Sequence, residues 1–508
     1  MAWEPSPASG GGQGGGNAAL FKALNHEGFA TMLLGFVILY LVISLGIGMY
    51  AATKVHNARD YIAAGRSLPI YIVMAMVFAT WFGAETVLGI PATFLREDLG
   101  GLISDPFGAS LCLVLFGLFF ARKLYRMNLL TIGDFYRARY DRNVEVVTGL
   151  AIALSYLGWV SAQVTALGLV FNVLSDGAVT QSQGILIGAA VVLMYTLYGG
   201  MWSVALTTFF QMIVIVLGLF YIAWLIAGLT GGVAPVIQHA AANGKFNFWP
   251  ELNAVAMLAF LSGLLTMGFG SIPQQDVFQR ANSSKNESVA VWGTVLGGTA
   301  YFLFAAVPLF LAYSANLIDP ALAAKWLAED SQKLLPELVK AHLPLFAQVV
   351  FYGALLSVIM STASGTLLAP SVTLSENVIK DFITRRRHIP EQQLLAITRW
   401  VVAGFSLLVT LYALWALGQK TGIHQMVENA YKVTLVVAFV PLAAGLYWRR
   451  ANTAGAYLAI ALGLATWLPM EIFLAEGEAP LPPQFAGFLM ACAGMALGAF
   501  LGRQARPA

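Results

Sequence analysis

About thirteen apolar runs, each near the roughly 20 residues that carry a helix through a bilayer, divide the chain between residues 30 and 502. They fall at 30–52, 69–95, 107–125, 144–174, 183–199, 203–229, 252–272, 289–316, 344–374, 397–417, 425–447, 453–474 and 485–502. In hydrocarbon every backbone N–H and C=O must be satisfied within its own segment, so these runs are helices of an all-α bundle. Charge content agrees. Only 10% of the residues are charged, where a soluble domain carries roughly 25%. Lys and Arg scatter between the runs instead of gathering on one face, which argues against a nucleic-acid partner. Cys112 and Cys492 both lie inside apolar runs, so no disulfide framework is expected, and no Cys/His spacing suits a metal.

The second run is interrupted at its centre. Ala79-Thr80-Trp81-Phe82-Gly83-Ala84-Glu85-Thr86 brings a Gly, two Thr and a carboxylate there, with Gly89-Ile90-Pro91 following. Glu85 alone would cost roughly 2.5–3.5 kcal/mol at the bilayer centre. Such a segment survives where it faces other helices or a wet cavity, and there its unwound backbone can coordinate an ion.

Basic residues set the orientation. With the loop after the first span taken as cytoplasmic, twenty Lys and Arg lie inside and seven outside, and Lys432 falls within a span. This places the N-terminus outside and the C-terminus inside a cell membrane crossed many times. Residues 1–29 then form a Gly-rich, disordered extracytoplasmic tail. Lys22 is the first basic residue, so no basic start of a signal peptide precedes it.

A second interruption, Gly263 to Pro273, closes the seventh run, five spans after the first. Two five-helix halves of opposite topology, at about 69–229 and 252–447, would give that interval, each opening on a broken helix. The runs 30–52, 453–474 and 485–502 are then peripheral, and residues 30–508 form one transporter domain.

An ion crossing an apolar interior needs oxygens to replace its hydration shell, and freed carbonyls and hydroxyls supply them. The ninth run holds Ser357, Ser361, Thr362, Ser364 and Thr366 within ten positions. Ser357, Ser361 and Ser364 share one helical face. Back-bonding to carbonyls one turn earlier is the plain alternative for each. The adjacent pair Ser361-Thr362, opposite a broken helix, favours an ion.

Four stretches carry a resemblance: Ala64-Gly65-Arg66-Ser67-Leu68-Pro69, residues 79–91, Gln274-Gln275-Asp276-Val277-Phe278-Gln279-Arg280, and Val358-Ile359-Met360-Ser361-Thr362. Over about residues 30–450 the chain resembles the sodium:solute symporter family, whose fold is the inverted-repeat fold of leucine-type transporters. The resemblance implies a sodium site made of the carbonyls of Ala79, Phe82 and Val358 and the hydroxyls of Ser361 and Thr362. Some relatives hold a second sodium on an Asp in the sixth helix. This chain has Thr208 there, so one co-transported sodium is expected. One charge moved through 100 mV supplies about 2.3 kcal/mol, and a tenfold gradient adds about 1.4 kcal/mol. Together they would sustain roughly 500-fold accumulation of a neutral solute.

The solute should sit beside the breaks. Candidate lining groups are Trp81 and Glu85, with Thr86, from the second span, Trp159 and Gln163 from the fourth, and Phe269 and Gln274 from the seventh, with Tyr431 and Lys432 as weaker candidates from the eleventh. Two aromatic faces could cage a quaternary ammonium. Thr80-Trp81-Phe82-Gly83 with Trp159 is similar to the choline-transporting branch of the family, which has a Gly where this chain has Glu85 and an aromatic where it has Gln274. The ninth run is similar to that of the proline-transporting branch, which has an Asp at the position of Trp81. The expected function is therefore sodium-driven uptake of a small organic solute, choline-like or an amino acid such as proline, by alternating access. A membrane sensor working with a separate signalling partner is the alternative. No nucleophile stands beside a base, so an enzyme is not expected.

Overall fold

The computed structural model describes residues 32, 35–36, 38–380, 391–419, 422–474 and 481–501. The expected tail at 1–29, the start of the first span and the basic stretch at 385–387 lie outside them. Among the described residues the chain is all-helical. Nine helices are long and apolar enough to cross a membrane, or eleven if each of two bent pairs counts as one span.

In chain order the principal helices are α1 (Ile38–Ala52), the bent pair α2 (Ile70–Trp81) and α3 (Glu85–Arg96), α4 (Leu99–Arg126) and α5 (Arg142–Leu174). Then come α6 (Gln181–Leu229), the second bent pair α7 (Ala254–Gly270) and α8 (Gln275–Asn282), and α9 (Glu287–Ile318). The last are α10 (Leu345–Ile379), α11 (Gln393–Gly418), α12 (Ile423–Tyr447), α13 (Thr453–Phe473) and α14 (Pro483–Phe500). α6 covers the fifth and sixth predicted spans. It turns at Gly200, where φ is 49° and ψ −140°. A Cβ there would lie 2.5 Å from the Tyr61 carbonyl oxygen, so only glycine fits.

Burial separates the helices by role. In α5 and α10 the most apolar windows are 83% and 72% buried, whereas in α13 the figure is 22%. Leu217, Trp224, Trp400 and Phe473 are among the large apolar side chains left exposed, as lipid-facing positions require. α5 and α10 are thus the inner walls against which the two broken spans are held.

Both breaks have local causes. At the end of α2, Phe82 takes ψ 71° and the Gly83 amide turns to the Trp81 carbonyl at 2.8 Å. The chain resumes at Glu85 after a 52° bend. In the seventh span the helix runs unbroken through Gly263 and Gly268 to Gly270, and the 45° bend falls at residues 271–274. Pro273 has no N–H to continue the ladder. The glycines serve packing: a Cβ at Gly268 would press on Leu111 of α4, and one at Gly270 on the Tyr431 carbonyl of α12. The sequence ended this span at 272, but the structure continues it as α8.

Candidate sodium and solute sites

The break in the second span frees two carbonyls by simple displacement. In a continuous helix the Gly83 N–H would serve Ala79 and the Thr86 N–H would serve Phe82. Here Gly83 serves Trp81, and Thr86 serves Gly83 at 3.2 Å. The Ala79 and Phe82 oxygens turn instead to α10. The Thr362 hydroxyl donates to both, at 3.0 and 3.3 Å. Ser361, one residue earlier, donates back to the Val358 carbonyl at 2.9 Å. The five expected sodium ligands therefore fall into two bonded groups, Thr362 with Ala79 and Phe82, and Ser361 with Val358. All five residues are fully buried. To hold a cation, the two hydroxyls rotate so that lone pairs replace protons toward the centre.

Beside this cluster, the Trp81 and Trp159 rings stack with centroids 4.7 Å apart and 16° between planes. Tyr431 meets both edge-on, at 5.2 and 5.7 Å, and Tyr156 stacks on Trp159 at 5.7 Å. Two polar atoms of this aromatic cluster, Trp81 Nε1 and Tyr431 Oη, are buried with no hydrogen-bond partner. Glu85 borders it. Its carboxylate accepts from Gln163 Nε2 at 2.6 Å and from Trp159 Nε1 at 3.3 Å, while Gln163 Oε1 accepts from the Ala84 N–H at 2.9 Å. Trp81, Glu85, Trp159 and Gln163 thus form one constellation across the break and α5.

The other candidates lie differently. Gln274 donates to Ser155 at 2.9 Å and to Thr434 at 3.4 Å, joining the seventh span to α5 and α12. Phe269 stacks on Phe439 of α12 at 4.7 Å and meets Phe488 of α14 edge-on, so it faces those two helices. Lys432 pairs with Glu471 at 2.7 Å in part-exposed surroundings. Tyr156 was missed; its hydroxyl becomes legible only once α5 lies beside α8.

A cavity of about 630 Å³ opens beyond α3. It is lined by Gly89, Glu97, Thr165, Asp330, His424 and Glu428, among others. Burial first, then the neighbouring Asp98 and Glu428 carboxylates, hold Glu97 above the usual carboxylate range. At Gly89 a Cβ would come within 3.2 Å of His424, so α3 and the start of α12 touch there at closest approach.

Two interrupted spans, the first with freed carbonyls that meet a hydroxyl of the inner helix α10, are the architecture of an ion-coupled secondary transporter. The chain belongs to the sodium:solute symporter family, whose model matches residues 61–463. It is 25% identical over 460 residues to the human high affinity choline transporter 1, covering 85% of this chain and 75% of that one. It is 24% identical to the osmoregulated proline transporter OpuE of Bacillus subtilis (strain 168), over 88% of this chain and 91% of that one. It is 25% identical to the sodium/pantothenate symporter of Escherichia coli (strain K12), over 84% and 88%. Among solved structures, the substrate-bound outward-open state of a sodium-coupled sialic acid symporter superposes with a TM-score of 0.78 at 18% identity, covering 94% of this chain and 98% of that one. The protein is accordingly a multi-pass membrane symporter that couples sodium to the uptake of a small solute, and not an enzyme.

Proposed function

We propose that this symporter carries a small quaternary amine of the choline class, held between Trp81 and Trp159 with Tyr431 as third wall and Glu85 as counter-charge. The observation that carries this reading is the aromatic cluster at the break, with its unbonded indole N–H and phenol and an adjoining carboxylate. A desolvated cation over a Trp face gains about 2 kcal/mol or more, and the faces of Trp81, Trp159 and Tyr431 converge here. Relatives named as choline transporters support the same class.

Sodium binds at Ala79, Phe82, Val358, Ser361 and Thr362, ordering the broken span against α10 before the solute is enclosed. The Thr362 bonds to both freed carbonyls support this set. The cavity at Gly89 is the outer vestibule, the N-terminus lies outside and the C-terminus inside. α1 and the first half of α6 complete thirteen spans. The halves at about 69–229 and 252–447 are the inverted repeats, with 30–52, 453–474 and 485–502 peripheral.

The test is uptake of labelled choline and labelled proline into proteoliposomes, with and without a sodium gradient. Sodium-dependent choline uptake is expected. Sodium-dependent uptake of proline alone would overturn the choline assignment. Substituting S361A and T362A together is expected to abolish sodium stimulation; retained sodium dependence would refute the sodium site.

A further inference from the structure

One buried carboxylate belongs to neither site above. Asp105 lies in α4, where the backbone leaves helical geometry at φ −144° and ψ 120°, and it is fully buried. Its Oδ1 accepts from the hydroxyl of Tyr301 on α9, and its Oδ2 has no hydrogen-bond partner. The Tyr301 oxygen also lies 3.4 Å from Thr86 Oγ1. Thr86 in turn donates at 2.7 Å to the carbonyl of Trp81, the last residue of α2. A carboxylate, a phenol, a hydroxyl and a carbonyl at the break are therefore linked in one run of oxygens joining α2, α3, α4 and α9.

Holding Tyr301 does not by itself require a carboxylate, since a neutral amide oxygen would accept the same bond. What the carboxylate adds is negative charge, which at membrane depth is costly unless a positive charge joins it. No Lys, Arg or His forms an ion pair with Asp105 among the described residues. Hard oxygen donors with one carboxylate suit a hard cation and not a soft metal.

We propose that Asp105, Tyr301, Thr86 and the Trp81 carbonyl bind a second sodium ion. The proposal rests on sodium coupling and is independent of which solute is carried. Because Trp81 contributes its carbonyl here and its indole to the aromatic cluster, filling this site fixes one wall of the solute cage.

The experiment is equilibrium binding of ²²Na⁺ to the purified full chain in detergent, with no solute present. Wild type is expected to retain about twice as much sodium at saturation as either D105N or S361A/T362A. D105N keeps an oxygen for the Tyr301 hydroxyl, and Y301F, which removes only that hydroxyl, is a second variant expected to weaken the same site several-fold. D105N retaining as much sodium as wild type at saturation, or Y301F binding both ions with wild-type affinity in a titration of free sodium, would overturn the proposal. So would a wild type with one ion per chain that is lost only in S361A/T362A. Loss of stoichiometry in S361A/T362A is read separately, so failure of the Thr362 site is distinguishable from failure of the Asp105 site.

Discussion

In the proposed solute site, Glu85 is the counter-charge. Both of its oxygens already accept, from Gln163 and from Trp159. Glu85→Gln would leave one oxygen for these two donors, set an amide NH₂ against the other, and remove the negative charge. The KM for choline is expected to rise about tenfold or more, equivalent to about 1.4 kcal/mol, with sodium dependence unchanged; kinetic uptake assays at fixed sodium check this. Trp159→Ala removes a stacked wall and the donor to Glu85, and a loss of choline affinity of about 30-fold is expected from one cation–π contact of about 2 kcal/mol. Trp159→Phe keeps a face and should lose less. These residues are legible in the sequence because polar and aromatic side chains interrupt an apolar run. Asp105 is not, because the apolar run of the third span begins at 107 and the carboxylate falls just before it. Its partner Tyr301 is 196 positions away, and no local pattern carries that contact.

At the scale of elements, α8 is the piece the sequence undervalued. It was quoted as a motif and not as a half-helix. Yet it is fully buried and tied on several sides. Asp276 and Arg280 pair at 2.6 Å, the Tyr156 hydroxyl bonds Asp276, and the Gln275 side-chain Oε1 accepts from the Ile132 N–H at 2.8 Å. Arg280 reaches Gly365 of α10, where a Cβ would strike its guanidinium. Removing one member of a buried ion pair costs about 3–5 kcal/mol. Asp276→Ala is therefore expected to lower the thermal midpoint in detergent far more than the exposed-surface change Glu287→Ala, whose partners Arg122 and Arg126 stay solvated. Equal midpoints for the two variants would show that α8 is not held by this pair. The break before α8 was foreseen from glycines, but the glycines pack α7 and Pro273 makes the break. Composition alone does not separate those two roles.

For the whole molecule, the all-helical class and the succession of apolar spans are readable from apolar length. The partition between inner walls and outer shell is not, since α5 and α13 are similarly apolar in mean hydropathy, at 1.6 and 1.5 over their windows, while differing widely in burial. Orientation is open to a direct measurement. Leu252→Cys, at a position 95% exposed between α6 and α7, should react with an impermeant maleimide on intact cells. Arg450→Cys, between α12 and α13, should react only after permeabilisation. The reverse pattern would invert the assigned topology. The cavity at Gly89 carries its own pH signature. Glu97 is held above the usual carboxylate range, so it gains its proton early as pH falls, and the attraction it offers a cation is lost on the acid side. Choline uptake at low ionic strength is expected to fall with acidification less steeply in Glu97→Gln than in wild type.

The two indoles that face each other at 4.7 Å make every incoming solute a rival of a ring. An offset aromatic pair is worth about 0.5–1.5 kcal/mol, and a guest must exceed that before any net grip is gained. Discrimination is thereby shifted away from size alone: a weakly polarising amine leaves the rings clasped, whereas a permanently charged headgroup rich in methyls can prise them open.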